Sequence, residues 1–103
     1  MRRVVWSDSG LEEFSSVVDY IARDNPIAAV GVADRLEAAV LALAELPVGR
    51  KGRVAGTYEK LVSGLPYIIA YALGDEPPED GTLTVLRIIH GARDWPEGSW
   101  PGG

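Results

Sequence analysis

Two apolar runs constrain this chain more than any other feature. Tyr67–Leu73 and Thr82–His90 read as extended pieces, and Tyr67–Leu73 and Leu83–Ile89 are apolar on both pleat faces. Between them lies Gly74-Asp75-Glu76-Pro77-Pro78-Glu79-Asp80-Gly81, a polar, proline-containing loop. Such a loop joins two strands rather than continuing either, so the runs are expected to pair antiparallel. Strands apolar on both faces belong in the middle of a sheet, and the rest of the chain must supply their cover.

The first half supplies it. Arg2–Trp6 reads as a short first strand. Ser9 with Glu12 three residues later fits a capping box, with Ser7 and Asp8 as alternative caps. Leu11, Phe14, Val18 and Ile21 then mark one stripe of an amphipathic helix. That helix is expected to end near Arg23, because the residue before Pro26 is pushed out of helical geometry. Pro26 suits the first turn of a second helix running to about Leu46, with Val32, Leu36, Val40 and Leu43 on its buried stripe. Gly31 costs that helix about 1 kcal/mol relative to alanine; it reads either as a close helix or partner contact or as a tolerated glycine. Pro47 and Gly49 end the helix, and short extended pieces follow at Arg53–Ala55 and Tyr58–Val62. The order predicts an α+β fold: an N-terminal strand and a two-helix hairpin packed on one face of a small antiparallel sheet. Residues 1–96 form one expected domain, and the Pro/Gly-rich 97–103 a flexible tail. The sheet face away from the helices must be a site, an interface, or covered by loops and tail.

Charge is uneven. The net value is −5, but residues 47–74 hold 4 bases and 1 acid, net +3, between acidic flanks of net −4 each. The chain therefore has a basic middle, and part of its acidity sits in the loop at 75–80. With no cysteine and one histidine, thiolate zinc and redox-metal sites are not expected, nor is a disulfide. The loop carboxylates Asp75, Glu76, Glu79 and Asp80 could suggest magnesium, but proline-flanked acids read better as solvated surface. No glycine-rich phosphate loop or serine elbow is present, so no cofactor is expected. Arg2 and Arg3 precede too short an apolar run for a secretory leader, and no run suits a membrane span, which points to the cytosol.

What remains is a set of cations and aromatics: Arg50, Lys51, Arg53, Lys60, Arg87, His90 and Arg93 with Tyr58, Tyr67 and Tyr71. Together these can hold RNA through phosphate contacts and base stacking. A metal-free ribonuclease needs a base for the 2′-hydroxyl, an acid for the leaving oxygen and cations for the phosphorane. His90 could be base or acid, Glu59 a base, and Arg53 and Arg87 the phosphate clamp. Each residue also has a structural reading. His90 reads equally as the cap of its strand, Arg87 as the partner of a carboxylate from a helix, and Arg50-Lys51-Arg53 as a solvated loop.

Three segments resemble the RelE/ParE toxin superfamily, nearer its ParE branch. They are Gly49–Thr57, Leu65-Pro66-Tyr67-Ile68-Ile69-Ala70-Tyr71, and Leu86-Arg87-Ile88-Ile89-His90-Gly91-Ala92-Arg93-Asp94-Trp95-Pro96. The Asn25-Pro26 break followed by Ala28-Ala29 is similar too, and the likeness covers residues 1–96. The Arg87-to-Pro96 ending is its most specific part. The resemblance implies a two-helix hairpin on an antiparallel sheet, and a toxin held in a hetero-oligomer by a cognate antitoxin. ParE-like members poison DNA gyrase; RelE-like members cut mRNA in the ribosome. Two positions depart from the pattern: Tyr58 stands where an arginine usually follows the threonine, and Ala72 where one often follows the tyrosine. An acidic chain also meets electrostatic repulsion in the ribosome. The expectation is therefore a non-enzymatic toxin that binds a protein, with Arg50, Lys51, Arg53, Arg87, His90, Arg93 and Trp95 contacting the target. An mRNA endonuclease and a weakened toxin that retains only antitoxin binding are the alternatives.

Overall fold

A computed structural model describes residues 1–52, 54–74 and 81–91. The chain runs β1 (Arg3–Trp6), α1 (Asp8–Ala22), α2 (Pro26–Glu45), β2 (Arg50–Lys51), β3 (Tyr58–Leu61), β4 (Tyr67–Gly74) and β5 (Thr82–His90). The strands form one sheet in the order β1-β5-β4-β3-β2. The two apolar runs are thus interior strands, paired antiparallel along their length, and the helical hairpin covers one face.

The sheet is mixed. β2 through β5 are antiparallel, whereas β1 joins β5 in parallel, from Arg3 opposite Thr82 to Trp6 opposite Val85. A parallel partner needs a long crossover, and the helical hairpin begins it. The ladder then runs straight into α1: Ser7 donates its N–H to Val85 O, and its hydroxyl accepts from the Gly10 N–H and donates to Leu86 O. Ser7 is therefore the N-cap, and Ser9 is not. Gly10 brings α1 hard against β5, because a Cβ there would lie 2.6 Å from Val85 O. The edge-to-face pair Trp6–Phe14, 5.4 Å between centroids, fastens β1 to the helix.

Anchoring at Gly10 fixes how α1 rolls. Phe14, Val17 and Ile21 turn inward, while Leu11 is half exposed and Val18 stays outside the core, contrary to the stripe expected from spacing. On α2, capped by the Asn25 side chain, Leu36, Val40 and Leu43 are buried as the stripe predicts, with Val32 packed at its margin. A methyl group on Gly31 would meet nothing within 4 Å among the described residues, so no close helix contact within the chain requires the glycine. The helices pack on Ile69 and Tyr71 of β4 and on Leu83, Val85 and Ile88 of β5. Val85 and Ile88 are three apart, yet both face the helices. Tyr71 pairs with Val85 and Ala70 with Arg87, so Leu86 is an extra residue, a β-bulge that resets the alternation.

Of the expected strand at Arg53–Ala55, Arg53 lies outside the described residues, while Val54 and Ala55 are not extended but form, with Gly56, a bend and turn. Gly56 holds φ +82°, which favours glycine. The short strand lies earlier, at Arg50–Lys51, paired with Tyr58 and Glu59, and the Gly52 N–H donates to Thr57 O to close the hairpin. The 75–80 loop and 92–103, including the expected tail, also lie outside the described residues.

Candidate functional site

Strand register sets the geometry of the candidate residues. Arg50 is opposite Glu59, Glu59 opposite Ala70, and Ala70 opposite Arg87, so four strands carry one transverse row. With strands about 4.8 Å apart, the two arginine Cα atoms at its ends are roughly 14 Å apart. Tyr67, Ile69 and Tyr71 on β4 face the helices, so Ala70 and Glu59 lie on the opposite face. Ile68, Ala70 and Ile89 form a small separate apolar cluster there.

His90 is not with them. It pairs with Tyr67, and the two rings meet edge to face at 5.5 Å, on the helix side. The sheet therefore stands between His90 and Glu59, the two groups proposed for proton transfer.

The row's charges are engaged internally. Arg87 grips Glu13 of α1 with two bonds, Nε to Oε1 at 3.2 Å and Nη2 to Oε2 at 2.6 Å. Glu13 Oε1 also accepts the Ile88 N–H at 3.1 Å. β1 ends beside Val85, so this carboxylate stands where a longer strand would have paired with β5. The structural reading of Arg87, a partner for a helix carboxylate, describes this geometry. At the other end, Glu59 is only 3% exposed, and its Oε1 lies 3.4 Å from Arg50 Nη2. Lys51 is exposed opposite Tyr58. Arg53, Arg93 and Trp95 lie outside the described residues. Sequence reasoning missed Glu13 itself. It precedes Phe14 on the helix, and its only signal is that register, since its partners are more than seventy positions away.

Tyr58, at one departure from the family pattern, stacks on Tyr71 at 5.6 Å on the helix side. Tyr71 donates its hydroxyl to Val48 O at 2.9 Å, and burial, with Tyr58 adding, raises its phenol above the ordinary 10.0. Ala72, the other departure, is half buried and pairs with Thr84.

Two apolar clefts open on the helical side. One, about 370 Å³, lies between the end of α2 and β3, with Leu46 and Leu61 exposed at its rim. The other, about 400 Å³, is lined by Val4, Trp6, Leu11, Phe14, Val40 and Leu41. Among the described residues no cluster of three His, Cys, Asp or Glu could hold a metal, and no helix is long and apolar enough to cross a membrane.

Comparison with known proteins agrees with this architecture. The family described as "ParE toxin of type II toxin-antitoxin system, parDE" matches residues 4–95. Toxin RelE2 of Caulobacter vibrioides is 38% identical over 94 residues, covering 90% of this chain and 99% of its own. Y4kP of Sinorhizobium fredii is 34% identical over 97 residues, covering 93% of this chain and 95% of its own. A chain from the chromosomal ParDE toxin–antitoxin system of P. aeruginosa superposes with a TM-score of 0.76 over 87% of this chain and 96% of that one; at 16% identity it speaks for the fold. Family match, curated relatives and shared fold converge: this chain belongs to the RelE/ParE superfamily of type II toxin–antitoxin toxins, through its ParE family.

Proposed function

We propose that this toxin arrests growth by binding a protein, DNA gyrase, rather than by cutting mRNA, and that a cognate antitoxin neutralises it in the cytosol. The observation that carries the reading is the separation of the nuclease set. His90 lies on one face of the sheet and Glu59 on the other, while Arg87 is committed to Glu13. General acid–base catalysis needs both groups within hydrogen-bond reach of one substrate. The apolar clefts, with Leu11, Leu41, Leu46 and Leu61 exposed at their margins, are surfaces suited to protein partners.

Expression in bacteria, alone and with the neighbouring open reading frame, tests the toxin reading: arrest that the neighbour relieves is expected. Purified toxin is then added to a gyrase supercoiling assay and to a translation extract with labelled mRNA. Inhibited supercoiling with intact mRNA is expected. Ribosome-dependent cleavage that disappears in His90→Ala would replace this reading with the endonuclease. Harmless expression of folded protein would leave antitoxin binding as the retained function.

A further inference from the structure

Two arginines of the sheet, Arg50 and Arg87, meet carboxylates of the same chain, and the Glu13 contact has the form of an occupied anion site. Three donors converge on one carboxylate: Arg87 Nε, Arg87 Nη2 and the Ile88 N–H. A planar guanidinium fork plus a backbone N–H is also how proteins hold a phosphate. The site is reachable, because the Arg87 side chain is 38% and that of Glu13 25% exposed. A cleft of about 440 Å³ opens beside it, lined further by Ser16, Asp19, Tyr20 and Arg23. The other end of the transverse row repeats the pattern, with Arg50 against the buried Glu59 carboxylate.

We propose that Glu13 is a specificity-determining residue: its carboxylate fills the Arg87–Ile88 donor set in place of a nucleic-acid phosphate, and so keeps this toxin off RNA. This rests on the reading of the chain as a protein-binding toxin, and it locates the cause in one helix residue. A phosphate entering the site must displace a carboxylate that already satisfies all three donors, and the other charges lining the cleft, Asp19 and Arg23, are of opposite sign. Removing the Glu13 charge leaves the donors in place and the cleft open.

The experiment measures binding of a short fluorescent oligouridine by anisotropy across a salt series, using the folded full chain. Glu13→Gln is compared with the original, with Glu13→Gln/Arg87→Gln, and with Glu12→Gln, which removes the same charge from an exposed neighbour on α1. Circular dichroism confirms that each variant is folded. Glu13→Gln is expected to bind roughly fivefold tighter at 0.1 M salt, with the slope of log K against log salt steeper by about 0.7, the contribution of one added phosphate contact on a single strand. Glu12→Gln should not reproduce the gain, and the double variant should lose it. If Glu13→Gln binds no tighter than Glu12→Gln, or the double variant keeps the gain, the proposal is wrong. Gyrase inhibition by the original protein is scored separately. Its absence would overturn the proposed target without touching the Glu13 result, and an unchanged oligouridine curve would overturn Glu13 without touching gyrase.

Discussion

The centre of the sheet and its β3–β2 margin are built on different principles. At the centre, β4 and β5 pair over eight and nine residues, and Ile69, Tyr71, Leu83, Val85 and Ile89 are almost wholly buried. At the margin, β3 has four residues and β2 two, and Val48, Val54 and Leu61 are exposed. Stability resides where apolar surface leaves water, so the centre holds the fold. The margin holds most of the basic residues of 47–74 and buries less apolar surface.

The largest expected contrast comes from truncating one side chain in each region. Ile69→Ala opens a cavity at a site with no exposure and should cost about 3 kcal/mol in urea unfolding. Leu61→Ala, at 59% exposure, should cost no more than about 0.5 kcal/mol. Equal losses would show that β3 is as deeply integrated as β4.

A second test uses the joint between α1 and the centre. Gly10→Ala forces a methyl to 2.6 Å from a backbone oxygen, with Ser7 Oγ at 3.2 Å. It should cost about 2 kcal/mol as the helix is pushed off β5. The outer side of α2 sharpens the contrast with the opposite sign. Gly31→Ala meets nothing within 4 Å and should raise stability by about 0.5–1 kcal/mol through helix propensity. A destabilised Gly31→Ala would mean that the face is occupied in the sample.

A further test lies at the boundary, where Tyr71 of the centre bonds to Val48. Its phenol pKa is raised in the fold, so below about pH 10 the folded and unfolded chains hold the same proton. Above about pH 10 the unfolded chain loses that proton first, and stability falls as pH rises. The urea midpoint should therefore drop as pH rises above about 10, and Tyr71→Phe should flatten the drop. Tyr71→Phe should also cost roughly 1 kcal/mol at neutral pH through the lost hydrogen bond. An equally steep alkaline drop in Tyr71→Phe would assign it to other groups.

The elements that were legible in advance are those whose signals are local and redundant. Asn25-Pro26 marks one helix boundary and Pro47-Gly49 another, and the Leu36, Val40 and Leu43 stripe is the one that is buried. The α1 stripe was misplaced by one position at Val18, because spacing gives a period but not a phase. The phase was set by Gly10 against Val85 O. The β2 position was missed for a similar reason: a two-residue strand has no periodicity, and only pairing with Tyr58 and Glu59 defines it.

The candidate site divides along the same line. Its residue types were readable: cations, a histidine, a glutamate and the Arg87-to-Pro96 ending that resembles the toxin superfamily. Which of them share a face was not, because alternation breaks at the Leu86 bulge and because Glu13 meets Arg87 across more than seventy residues. The sequence by itself determined the family, the α+β class and the two strands at the centre, since these follow from local propensity, apolar patterning and a specific ending. Only the tertiary structure decided that β1 enters in parallel, that His90 and Glu59 face opposite ways, and that Arg87 is answered by Glu13. Each of these is a relation between distant segments, set by how close their backbones can approach rather than by either segment alone.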